Sequence, residues 1–181
     1  IAPGMFLSAE VLSRLGLARL SARPMPLPGW VLLILATGGV VLCLVPGVVG
    51  VPISALALWL GTFTLLDPLN YICGRPSILG DWHAGRWGRT VALGAGGLWC
   101  GLLWEFWNYW ALAKWQYHLP FLGAAQNVKY FEMPLPGLLG FVAFGIQVWV
   151  MWQTSLLLLG HVVEGQGAGP EDQRLQTYGC Y

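Results

Sequence analysis

The sequence predicts an all-α integral membrane protein of about four transmembrane helices, preceded by an N-terminal interfacial helix. Three observations carry this expectation. Of 181 residues, 56% are hydrophobic and 9% charged, whereas an ordinary soluble domain is about 45–50% apolar and about 25% charged. Mean hydropathy is +0.63. Long stretches lack any formal charge, and the positive residues lie in the segments before, between and after them. The net charge of +1 is too small for the basic stripe that would follow a phosphate backbone, so no nucleic-acid partner is expected. Cys43, Cys73, Cys100 and Cys180 lie far apart without a C-x-x-C pair, which predicts neither a metal site nor a disulfide framework.

Residues 1–28 read as an N-terminal amphipathic segment, 29–160 as the helical bundle and 161–181 as a cytoplasmic tail rich in Gly and Pro. In the first part, Phe6, Leu7, Val11, Leu12 and Leu15 recur at helical spacing opposite Glu10, Ser13 and Arg14. That pattern fits an interfacial helix or the exit of an earlier span. Ile1 opens the chain without the charged n-region of a signal peptide, as expected of a processed or an incomplete N-terminus.

Between Arg23 and Asp67 lie 43 uncharged residues, about 65 Å of helix at 1.5 Å per residue. Pro46 and Gly47 divide this stretch into spans at about Trp30–Val45 and Gly50–Leu66. Both are short against the roughly 20 residues a bilayer requires, so a re-entrant hairpin is the alternative. A third span runs from Thr90 to about Ala113 and a fourth from about Met133 to Gly160. With four spans, Arg14, Arg19, Arg23, Arg75, Arg86, Arg89 and Arg174 share one side, while Lys114 and Lys129 share the other. This places both termini on the cytoplasmic side of the membrane.

Within the third span, Gly97, Gly101, Glu105 and Asn108 align on one helix face. Small residues there admit a neighbouring helix. Glu105 must face protein or water, because an ionisable group in a span costs at least about 2.5–3.5 kcal/mol. Gln147, on the stripe of Gly140, Phe144, Met151 and Thr154, is its candidate partner. The pair reads either as a buried polar clamp or as a proton-handling acid. Trp104, Trp107, Trp110 and Trp115, with Tyr109 and Tyr117, suit an aromatic belt. They also suit a cradle for a flat apolar ligand such as a carotenoid, quinone or chlorin. His118 or His161 is a candidate single axial ligand for a chlorin or haem, since the topology puts them on opposite sides.

Met133-Pro134 suits the first turn of the fourth helix, with Glu132 beside its positive end. Glu132 and Lys129 are alternatively the companions of Glu105 and Tyr117 in acid–base chemistry, oriented by Asn108. On the opposite side, Asp67-Pro68 and Arg75-Pro76 read as turns, and Asp81–Arg89 as an interfacial strip. Trp82, Arg86 and Trp87 there anchor to anionic membrane lipids or to a partner subunit. No H-E-x-x-H, P-loop, strand-borne G-x-G-x-x-G or G-x-S-x-G occurs.

The run WEFWNYWA from Trp104 to Ala111, followed by KWQY and KYFEMPLPGLLGF, resembles a family of small bacterial polytopic membrane proteins without an established function. The order Trp115, Tyr117, Glu132, Pro134 is also similar to the membrane-embedded lycopene cyclase domain, although no pair of glutamates follows the proline here. The function expected is a non-catalytic accessory subunit of a larger membrane complex, photosynthetic or respiratory, that binds lipid or pigment and packs against partner helices. The alternative is an enzyme acting on an isoprenoid or lipid substrate, which the cyclase resemblance implies. A third reading is a small transporter subunit with Glu105 and Gln147 along a polar path.

Overall fold

The computed structural model describes residues 1–48, 53–117 and 120–165, and they are mostly helical. Six α-helices follow one another: α1 (Ala2–Arg14), α2 (Gly29–Leu44), α3 (Ile53–Ile72), α4 (Ile78–His83), α5 (Gly88–Trp110) and α6 (Leu138–Gly165). A minimal antiparallel hairpin of β1 (Lys129–Tyr130) and β2 (Met133–Pro134) precedes α6. The expected tail boundary moves accordingly, since α6 continues through residues 161–165. Residues 166–181 of that tail, and the expected start of the second span at Gly50, lie outside the described residues.

Small residues set the packing. α2 and α3 run antiparallel with Gly39 so close to α3 that an added methyl would stand 2.6 Å from the Leu65 nitrogen. α5 and α6 are also antiparallel and touch backbone to backbone at Gly97 and Gly145. A methyl on either glycine would come within 2.9 Å of the other's Cα. α3 and α6 run parallel: Trp59 stacks on Phe144 at 5.6 Å, and further along Asn70 Nδ2 donates to the Val150 carbonyl at 3.1 Å. The helices therefore follow the lateral order α2, α3, α6, α5, α1.

At the ends of the bundle, one expectation is decided and another changes. Of the two expectations for α1, an interfacial helix or the exit of an earlier span, its packing along the bundle has the geometry of the second. α1 packs antiparallel along α5, with Met5 and Ala9 buried against Gly96, and Gly88 taking the turn at Leu17 and Ala18. The bare glycine face of α5 gives the apolar stripe of α1 a nearer surface than a membrane interface. The chain does not turn at Asp67-Pro68. α3 runs on to Ile72 with Pro68 buried inside it. The turn comes at Gly74, whose φ of 70° is the left-handed conformation that glycine adopts freely. Arg75 N–H bonds the Asn70 carbonyl at 2.8 Å and Gly74 N–H that of Tyr71 at 3.1 Å, the paired bonds of a Schellman ending.

Carrying α3 forward delivers the Asp67 carboxylate to the start of α4. Its oxygens accept from the N–H groups of Ile78 at 2.9 Å and Leu79 at 2.8 Å, while Ser77 Oγ accepts from Gly80 N–H at 3.0 Å. The segment expected to be an interfacial strip is thereby folded inward. Asp81 is buried and takes ion pairs from Arg86 at 2.9 Å and Arg89 at 2.8 Å. Trp82 stacks on Trp87 at 5.0 Å and donates to Thr90 Oγ1 at 2.9 Å. These two indoles are packed within the chain rather than presented, and Arg86 is the exposed member of the expected trio.

Among the described helices, two stretches are long and apolar enough to cross a membrane: Gly29–Gly47, with mean hydropathy 2.2, and Leu135–Gly160, with 1.6. α3 carries Asp67 and Asn70, and α5 carries Arg89, Glu105 and Asn108.

Asp67→Ala is expected to lower unfolding free energy by about 2–4 kcal/mol, because it orphans two buried N–H groups. Ser77→Ala should cost about 1 kcal/mol, as for loss of a helix cap. Gly145→Leu should cost about 3 kcal/mol or more by overpacking the α5–α6 crossing. Chemical unfolding in detergent, followed by circular dichroism, measures all three.

Candidate functional site

The end of the bundle opposite α4 is organised by two residues of α5. Glu105 and Asn108, three apart, lie on the face of Gly97 and Gly101, and Phe141 of α6 packs over Gly101. Glu105 is 0% exposed. Just past the end of α5, the Asn108 amide holds the returning chain at two points: Nδ2 donates to the Trp115 carbonyl at 2.7 Å, and Oδ1 accepts from Trp115 N–H at 2.6 Å. This imitates a strand pairing and folds residues 111–117 back over the helix end.

The fold-back brings Tyr117 to Glu105. The phenol donates to Glu105 Oε1 at 2.7 Å and accepts from Trp104 Nε1–H at 3.1 Å. Burial, followed by the bond to the Glu105 carboxylate, pushes the Tyr117 phenol well above its ordinary range, so it stays protonated as a donor. Glu105 Oε2 is buried and has no hydrogen-bond partner among the described residues. An apolar pocket of about 210 Å³ adjoins the phenol, lined by Trp59, Met133, Phe141 and Phe144.

A separate clamp fastens the loop from above. Lys114 Nζ meets Glu132 Oε1 at 2.5 Å and lies over the Tyr109 ring at 4.9 Å. Glu132 sits in the turn of the β1–β2 hairpin, after Phe131 in a left-handed conformation with φ 53°. Met133-Pro134 is thus a strand and not the first turn of α6. Its pairing with Lys129 and Tyr130, extended by the Leu135 N–H bond to the Val128 carbonyl at 2.9 Å, holds it extended. Pro136 takes the early-turn position in the short 3₁₀ turn Leu135–Gly137 instead. Glu132 consequently answers Lys114 rather than a helix end.

The structure unites Glu105, Asn108, Tyr117, Trp104 and the Trp115 backbone, and it leaves other expected members outside. Gln147 does not partner Glu105; its amide bonds Thr62 of α3. Close contact at Gly97 and Gly145 leaves no room for a side chain between α5 and α6 at that level, so Gln147, two residues on, faces α3. Trp107, Trp110 and Trp115 are exposed, at 68%, 69% and 65%, and do not close a cradle with Trp104. His118 lies outside the described residues, and His161 stands in the far end of α6. No three His, Cys, Asp or Glu side chains group as around a metal ion among the described residues.

Sequence reasoning missed Thr62 and the buried Asn70 of α3 as the partners of the Gln147–Thr154 stripe; Thr154 Oγ1 donates to Asn70 Oδ1 at 3.1 Å. The signal was available: Thr62 and Asn70 are two turns apart on α3, as Gln147 and Thr154 are on α6.

Asn108→Ala is expected to release the fold-back loop, so that trypsin cleaves after Lys114 at least about tenfold faster, as the loss of roughly 1.4 kcal/mol of local closure implies. The hydrogen bond to Glu132 raises the Lys114 ammonium above its ordinary 10.5. A cation with a raised folded value stabilises fully below the unfolded value and loses that contribution as pH climbs through the folded one. Cleavage at the aromatic residues of 111–117 by an alkaline protease that needs no charged side chain, measured against the same protease on unfolded chain, should therefore be unchanged from pH 7 to 9 and accelerate above about pH 10.5.

Comparison of the chain with protein-family models, curated proteins and solved structures finds no match.

Proposed function

We propose that the chain is an integral protein of a bacterial cytoplasmic membrane, spanned by α2, α3, α5 and α6, with the α4 end of the bundle and the end of α6 inside. The N-terminus, expected on that side too, instead stands near the level of Cys100, and α1 descends along α5 toward the inside. In this reading it serves as a non-catalytic subunit that packs against partner helices and holds lipid. The supporting observation is the polarity of the bundle. Asp67, Asn70 and Glu105 are fully buried, whereas Trp30, Leu33, Ile34, Leu44, Trp107 and Trp110 are exposed. A water-soluble bundle would place these groups the other way round, and ionisable groups within membranes face the bundle interior. Arg14, Arg75, Arg86 and Arg89 gather at the α4 end, with Lys114 and Lys129 at the other, the asymmetry of a cytoplasmic positive side.

The non-catalytic reading rests on how the carboxylates are used. Each one whose side chain is described is already engaged: Glu10 by Arg14, Asp67 by backbone N–H groups, Asp81 by two arginines, Glu105 by Tyr117 and Glu132 by Lys114. What remains unpartnered is surface. The exposed aromatics of α5 and the apolar circumference of α2 are what a partner helix would cover. One observation favours a second reading, an enzyme acting on an isoprenoid chain. The apolar pocket beside Tyr117, with Glu105 Oε2 unpaired behind it, has the polarity such a substrate needs.

Gentle solubilisation of native membranes tests the first reading. The chain should migrate with other proteins well above its own 19.8 kDa, and joint replacement of Trp107 and Trp110 by Ala should release it still folded. Recovery as a detergent-bound monomer only would overturn this. The second reading requires Glu105→Gln to abolish turnover of isoprenoid substrates while leaving insertion intact, and unchanged product would sink it.

A further inference from the structure

At the α4 end of the bundle, a cleft of about 750 Å³ opens between α1 and α6, floored by the first turns of α5. Its two ends differ in chemistry. Arg14, Arg86 and Arg89 stand toward the rim with the carboxylates of Glu10 and Asp81 among them, Phe6 lies deeper with Trp152 beside it, and Trp149 joins the two beneath Arg89. The direction of this gradient follows from packing. α1 runs antiparallel to α5, with Gly4 beside Cys100 and Leu17 beside Gly88. Phe6 therefore lies toward the middle of the bundle and Arg14 toward its rim, eight residues or about 12 Å away.

The arginines are not used up by their carboxylates. Arg86 and Arg89 share the single carboxylate of Asp81, so that trio keeps a net positive charge. Arg14 is paired with Glu10, and of the five N–H groups on a guanidinium it commits Nε, Arg86 commits Nε and Nη2, and Arg89 commits Nη1, which leaves the cleft one positive charge in excess over Glu10 and Asp81. The Arg89 plane is held over Trp149 at 4.8 Å, which fixes its direction. Arg14 and Arg86 have side chains 78% and 67% exposed. Remaining donors thus stand at the rim above an apolar trough.

We propose that this cleft is a binding site for one acidic phospholipid of the cytoplasmic leaflet. The phosphate is taken by Arg14 and Arg86, and an acyl chain lies against Phe6, Trp149 and Trp152. Guanidinium groups bind phosphate with paired N–H donors, and the aromatic trough has no use for a phosphate without a chain. The proposal rests on the membrane reading above, because the rim and the trough correspond to headgroup and hydrocarbon only if the bundle spans.

The test uses the full chain in lipid nanodiscs of three parts phosphatidylcholine to one part phosphatidylglycerol, extracted with increasing detergent and weighed by native mass spectrometry. Wild type should retain one phosphatidylglycerol in preference to phosphatidylcholine. Arg14→Gln should weaken retention about fivefold, the share of one juxtamembrane arginine. Ser13→Phe, which fills the cleft without altering charge, should abolish it with helical content preserved. Arg23→Gln, an equal charge change away from the cleft, should have no effect. Equal retention of the two lipids by wild type, or equal losses in the Arg23 and Arg14 variants, would overturn the site while leaving membrane integration standing. Binding of inorganic phosphate or glycerol phosphate alone at millimolar concentration, untouched by Ser13→Phe, would overturn the lipid assignment. Failure of wild type to enter nanodiscs at all would overturn both the site and the membrane reading.

Discussion

A carboxylate or amide withdrawn from water has to find its hydrogen-bond partners within the chain, and this bundle is arranged around that requirement. Leaving such a group unpaired costs about 1–3 kcal/mol, and more when it is charged. The exterior of the helices is largely apolar, so the polar groups turn inward and meet. At one end Asp67 caps α4 and Asp81 gathers Arg86 and Arg89. At the other end Glu105 is met by Tyr117. Features that look irregular in isolation, such as the short helix α4 and the fold-back after α5, are the means by which these groups are satisfied.

The partners can only meet if the helices come close. Glycine supplies that closeness at Gly39 and at the Gly97–Gly145 contact, where side chains would force the backbones apart. The same contact also decides which groups do not meet. By closing the α5–α6 seam at the level of Gly97 and Gly145, it turns Gln147 to Thr62 on α3 and leaves Glu105 to the loop above. Two polar seams result where one was expected, one between α3 and α6 and one between α5 and its own returning loop.

Consumption of the carboxylates in structural pairs connects the architecture to the proposed function. A base or nucleophile ready for chemistry needs a free face toward a cavity, whereas the carboxylates that line the cleft between α1 and α6, Glu10 and Asp81, are paired with arginines. An arrangement rich in interior pairs with aromatics exposed on its outer face is what the proposed role asks for.

Composition and spacing by themselves determined that the chain is mostly helical and apolar, and that Glu105 and Asn108 share a face with Gly97 and Gly101. These are properties of transfer free energy and of a 3.6-residue period, which add up along a local stretch and need no knowledge of neighbours. The Asp67–Arg89 segment was misjudged for the same reason. Its polarity suggests a surface, because a sequence does not display the N–H groups of α4 that Asp67 is about to cap. Likewise Met133-Pro134 fits a helix start locally, until pairing with Lys129 and Tyr130 makes it a strand. The partners of Glu105, Gln147 and Glu132, and the cleft between α1 and α6, were decided only by tertiary structure. Hydrogen bonds across helices depend on how far apart two backbones stand and on which side chain is missing between them, and neither quantity exists until the helices pack.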